Sequence, residues 1–105
     1  MTTFDDREKA FEEKFVHDQE FRFRVNARRN RMIVEWAVEQ MGLPFDEESP
    51  FITEVVNAHI EGGDEVVIRK IINFTKLAGK ELTPSQIKFQ LDLFFDQAKK
   101  EIMTE

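Results

Sequence analysis

Of the seven arginines in the chain, five fall within one short stretch, at Arg22, Arg24, Arg28, Arg29 and Arg31. A guanidinium offers a planar fork of donors that matches phosphate or carboxylate. Arg22, Arg28 and Arg29 could therefore meet an anion, with ADP or ATP as the natural occupants of such a sensor. The plainer reading is a solvated helix face. Arg24, Arg28 and Arg31 share one side of a helix, with Glu20 four residues before Arg24 and Glu35 four after Arg31. Pairs at that spacing are worth about 0.2–0.5 kcal/mol each. Both readings stand on the residues alone.

Other chemistry has little raw material. His17 and His59 lie far apart, there is no cysteine, and neither histidine has a nucleophile or a metal set beside it. The paired carboxylates Asp5-Asp6, Glu12-Glu13 and Glu47-Glu48 are consecutive rather than facing, unlike an acid/base dyad. Gly62-Gly63 stands alone, so no phosphate-cradling loop is present. No catalytic constellation, metal or cofactor is expected, the nucleotide alternative apart. His59 sits on an apolar face and reads as a packed histidine; Trp36 reads as core.

The remaining signal is aromatic. Phe4, Phe11 and Phe15 fall on one line at about 100° per residue. That line runs on into Asp18, Arg22 and Asn26, so the ridge ends near His17. Two fresh stripes then begin, Phe21, Val25, Met32, Ile33 and Trp36 on one side, and Phe23, Ala27, Val34 and Met41 on the other. An amphipathic segment out of phase with the core can fold back onto it, or it can be presented to a partner's groove. His17, at the change of phase, could bias docking against release by titrating near neutral pH.

These residues need helices to position them. Met1 to Met41 contains neither Pro nor Gly, which favours a long helix; Gly42 and Pro44 end it. Ser49-Pro50 is a cap followed by a first-turn proline, and Ile52, Val55, Val56, His59 and Ile60 follow at helical spacing until Gly62-Gly63. Asp64 is the next candidate cap. Val66-Val67-Ile68 and Ile71-Ile72 are β-branched, but the apolar set has a period near 3.6, Arg69-Lys70 interrupts any alternation and a strand there would lack a partner, so a helix closed by Gly79 is predicted. Thr83-Pro84-Ser85-Gln86 is a capping box, opening a helix with Ile87, Leu91, Phe94, Phe95, Ala98 and Ile102 on one face and Phe89 and Leu93 off it. The predicted fold is all-α: a four-helix bundle with a long first helix and a mobile, partly helical N-terminal arm. Residues 1–17 would be the arm and 18–105 the bundle domain.

A length of 105 residues fits one domain. The net charge of −6 argues against nucleic acid and anionic lipid as partners. No apolar run is long enough to span a membrane, and the N-terminus lacks the basic start and apolar middle of a signal peptide. Acidic character without heptads points to a monomer.

Phe4-Asp5-Asp6-Arg7-Glu8, Phe11-Glu12-Glu13-Lys14-Phe15, His17-Asp18, Ala27-Arg28-Arg29-Asn30-Arg31, Trp36-Ala37 and Gly42-Leu43 together resemble the zeta subunit family of alphaproteobacterial rotary ATP synthases, formerly a domain of unknown function. Gly63-Asp64-Glu65 with Arg69-Lys70 extends the likeness, and the C-terminal third matches in pattern only. Glu35 stands where an apolar residue is expected, and Val66 and Val67 where an acidic one is more usual.

The resemblance implies an inhibitor that acts in the cytoplasm, at the inner face of the membrane through the synthase. It implies an N-terminal arm that enters a catalytic interface of the ATPase head, reaches the rotor and blocks rotation in the hydrolysis direction. Carried onto this chain, Phe4, Phe11 and Phe15 would be the arm's apolar anchors, and Thr2, Asp5, Asp6, Arg7, Glu12 and Lys14 would lie on the intruding segment with them.

Overall fold

The structure, a computed structural model, describes residues 18–105. Thr2, Phe4, Asp5, Asp6, Arg7, Phe11, Glu12, Lys14, Phe15 and His17 lie outside the described residues, and the expected arm lies there with them. Among the described residues there are three α-helices and no strand: α1, Gln19–Gln40; α2, Pro50–Lys76; and α3, Pro84–Met103.

Local chemistry sets the helix ends. The Asp18 carboxylate accepts from the backbone N–H of Glu20 at 2.9 Å and of Phe21 at 3.2 Å, which starts α1. At its far end Leu43 N–H donates to Val38 C=O at 3.1 Å and Gly42 N–H to Glu39 C=O at 3.0 Å. That pairing is a Schellman closure, and it places Gly42 at φ 74°, where a side chain would be strained. Ser49 caps α2 through Phe51 N–H, with Pro50 next. Thr83 and Gln86 form the reciprocal capping box of α3, at 2.9 and 3.2 Å.

Three helical elements stand where four separate helices were expected. Gly62-Gly63 does not end one helix and leave a loop before the next. Only Gly63 leaves helical geometry, at φ 71° and ψ −159°, and helix resumes at once. The turn is nonetheless a reversal. The rings of Phe51 and Phe74, near opposite ends of α2, have centroids 4.0 Å apart. A straight helix would hold them about 35 Å apart. Gly62 serves the same corner, because a Cβ there would overlap Val66 Cγ2. Asp64 does not act as the expected cap; its carboxylate is taken by other helices.

The main core joins Ile33, Val34, Ala37 and Val38 of α1 to Val55, Ala58, Val67 and Ile71 of α2 and to Leu82, Ile87 and Leu91 on the α3 side. A second cluster holds Phe21 and Val25 against Ala98 and Ile102, so α1 and α3 run antiparallel. Most residues of the predicted apolar faces are buried or half-buried. Trp36 is half-buried, packing on the core from outside, and Phe23, Ile60 and Phe95 are exposed despite their places on those faces. Phe89 and Leu93 are exposed as expected.

Candidate functional site

Asp64 follows the Gly63 corner directly, which puts its short side chain where α1 and α3 both approach α2. Its Oδ1 accepts from Arg29 Nη1 at 2.9 Å, and its Oδ2 from Lys88 Nζ at 3.0 Å. His59 Nε2, one turn before the corner, stands 3.7 Å from Oδ1. Lys88 also pairs with Asp92 at 3.0 Å, one turn along α3. Arg29 is only 4% exposed, and its Nε and Nη2 both donate to Oδ1 of the buried Asn30 at 3.1 and 2.8 Å. One carboxylate thus links three helices and neutralises a buried guanidinium.

The electrostatics follow from this geometry. Burial pushes the Asp64 carboxyl up, but hydrogen bonds from Lys88 and Arg29 outweigh it and hold the group below its ordinary value of 3.8. Burial, with the Arg29 guanidinium behind it, pushes His59 below 6.5 against the pull of Asp64. Hydrogen bonds to Asp64 and Asp92 raise Lys88. The cluster has no nucleophile. Among the described residues no group of three His, Asp or Glu side chains could hold a metal ion. It serves as a clamp.

The three arginines singled out for an anion do not converge. Arg29 turns into the clamp. Arg28 pairs with Glu105 at 2.5 Å and approaches Glu101 at 4.0 Å. Arg22 is exposed and pairs with no carboxylate among the described residues. The plainer reading also changes. Arg24 takes Glu105 at 2.9 Å and Arg31 takes Glu47 at 2.6 Å, in place of Glu20 and Glu35 within the helix. Arg31 further sits over the Phe45 ring, 5.6 Å from its centroid. The face is laced by pairs, but its carboxylates come from elsewhere in the fold. Lys88 went unnoticed in the sequence, and no local signal could have joined it to Asp64 across 24 residues.

Near the start of α1 an apolar surface remains open. Phe23 and Ile60, on neighbouring helices, line one cavity of about 150 Å3 together with Ala27 and Val56 and with the polar Asn26, Asn30 and His59. Among the described residues no helix is long and apolar enough to cross a membrane.

The sequence profile of one protein family, described as ATPase inhibitor subunit zeta, matches residues 1–101. The match takes in the segment before Asp18 as well as the helical body. No curated protein and no solved structure matches the chain.

Proposed function

The chain belongs to the ATPase inhibitor subunit zeta family, and on that premise we propose that it blocks ATP hydrolysis by a rotary ATP synthase, residues 1–17 acting as the inserted segment. Phe4, Phe11 and Phe15 bury their rings in a catalytic interface of the ATPase head. Thr2, Asp5, Asp6, Arg7, Glu12 and Lys14 make the polar contacts around them, and the tip reaches the rotor. The body of α1, α2 and α3 stays outside. Rotation in the synthesis direction expels the segment, so synthesis is spared.

The observation that carries this reading is the extent of the family match, which begins at residue 1 and so includes the aromatic ridge. The energetics agree with reversible insertion. Burial of each phenylalanine contributes about 1.5–3 kcal/mol, against a cost of about 2–5 kcal/mol for ordering a segment on binding. The anion-sensor alternative draws less support, since Arg28 and Arg29 are already neutralised by carboxylates.

The test is hydrolysis by a matched, purified ATPase with the protein added. Full-length chain inhibits; a chain lacking residues 1–17 keeps its helical content and does not. Equal inhibition by the two would remove residues 1–17 from the mechanism.

A further inference from the structure

Along the seam between α1 and α3 lies a cavity of about 360 Å3, inside the range of about 300–1,000 Å3 usual for ligand sites. Glu35, Trp36 and Glu39 of α1 face Phe94 and Glu101 of α3 across it. Glu35 and Glu39 stand one helical turn apart, and their carboxylates take no donor among the described residues, although Glu35 is half-buried. Arg31 borders the same cavity, but its guanidinium is engaged by Glu47 at 2.6 Å and lies over the Phe45 ring. The lining thus holds three carboxylates against one cation that is already neutralised.

Glu101 gives the sharpest sign of a missing donor. Its Oε2 is shut away from solvent and accepts no hydrogen bond among the described residues. Its Oε1 has Arg28 Nη1 no nearer than 4.0 Å, since Arg28 makes its closer contact with Glu105 at 2.5 Å. A buried carboxylate oxygen without a donor is costly, and a donor entering beside it removes that cost. Trp36 also walls a second recess of about 340 Å3, bordered by Phe89, which is 63% exposed. One indole therefore joins an acidic recess to an apolar one.

We propose that this seam takes an arginine side chain of the ATPase, its guanidinium held among Glu35, Glu39 and Glu101 against Trp36, with a neighbouring apolar residue resting on Phe89. The contact presupposes the inhibitory reading and names how the helical body grips the enzyme. Charge selects the occupant, because carboxylates without partners repel an anion and attract a cation. Among the described residues no three acidic groups are gathered closely enough for a metal ion, so the cation is an organic one. Indole is the aromatic ring that attracts such a cation most strongly. Arginine suits the place better than lysine, since its planar fork stacks on a ring while serving more than one carboxylate. The apolar recess beside it fits a residue joined to that arginine, and a free guanidinium compound would leave it open.

Held in this way, the body keeps residues 1–17 at high effective concentration beside the catalytic interface. The segment blocks and the seam retains.

The test uses the full-length chain. Trp36 is its one tryptophan, so fluorescence reports on the seam alone. Titration with N-acetyl-arginyl-leucine amide to millimolar concentration should change the emission saturably, and the same peptide with citrulline in place of arginine should not. Glu35→Gln with Glu39→Gln, two carboxylates that bind nothing in the fold, should keep the native melting profile and lose the response. That variant should raise the half-inhibitory concentration for ATP hydrolysis about three- to tenfold at low salt, and the gap should narrow at high salt. No response to the arginine peptide, or an equal response to the citrulline one, overturns the site. Native-strength inhibition by the double variant overturns the ATPase as the source of the arginine. So does a shift in Trp36 emission on Arg7→Gln, which assigns the seam to the chain's own segment. A concentration-dependent dimer that the double variant abolishes in sedimentation overturns it in favour of a second copy. If the native chain fails to inhibit at all, the inhibitory reading falls while the peptide titration still decides the site.

Discussion

Arg29 and Asp64 sit on different helices, 35 residues apart in sequence, with Nη1 and Oδ1 separated by 2.9 Å. Because Arg29 is almost wholly buried, this contact decides whether its charge is tolerated. Asp64→Leu leaves the guanidinium with Asn30 Oδ1 alone and Lys88 with Asp92 alone. The expected loss is about 3 kcal/mol, in the range for a buried pair broken on one side, read as a lower urea midpoint. Arg29→Met together with Asp64→Leu should recover most of that loss, since no buried charge then remains.

Stability should fall in two steps as the solution is acidified. His59 has a folded pKa below its ordinary 6.5, so the unfolded chain takes up the proton first. Its contribution is complete above about pH 6.5 and is lost as pH falls from there through the folded value. Asp64 is also lowered, so its contribution holds above about pH 4 and is lost as pH falls through its depressed folded pKa. Melting temperature measured from neutral to strongly acid pH should show both declines. His59→Gln is expected to flatten the first and Asp64→Asn the second.

The corner at Gly63 should be intolerant of a side chain for conformational reasons alone. A Cβ there meets no neighbour, yet φ 71° with ψ −159° is a region open essentially to glycine. Gly63→Ala should cost about 1–3 kcal/mol. Far-UV circular dichroism should retain its helical signal while the thermal midpoint drops. An unchanged midpoint would mean that the chain can reverse at this point in another way.

Phe15→Ser bears on inhibition rather than on the helical body. If the ring is buried in the ATPase, its loss raises the half-inhibitory concentration about tenfold or more, from about 1.5–3 kcal/mol of lost burial. Hydrolysis assays across a concentration series measure this directly, with circular dichroism as the control for the body.

What the sequence determined by itself were the features whose causes lie within a few residues. Asp18, Ser49 and the Thr83–Gln86 box each cap a helix by reaching a backbone or side-chain group at most three residues on. Gly42 and Pro44 stop α1 through their own backbone geometry. The period of Val67, Ile71 and Thr75 made a helix of a β-branched run, and all three are buried.

Tertiary structure decided the rest, because those outcomes depend on which helices become neighbours. Period says which face is apolar, but only packing says how much of it is covered, so Ile60 and Phe95 stayed in water. Asp64 looked like a cap because an acidic residue after glycine can satisfy the next turn. Once α2 folded back at Gly63, a buried Arg29 and a nearby Lys88 claimed the carboxylate. Arg24 and Arg31 had carboxylates at the right spacing along α1 and Arg28 had none, yet the fold supplied Glu47, Glu101 and Glu105 to the three of them. A partner 16 or 81 residues distant is set by helix placement, and no local pattern in the chain encodes it.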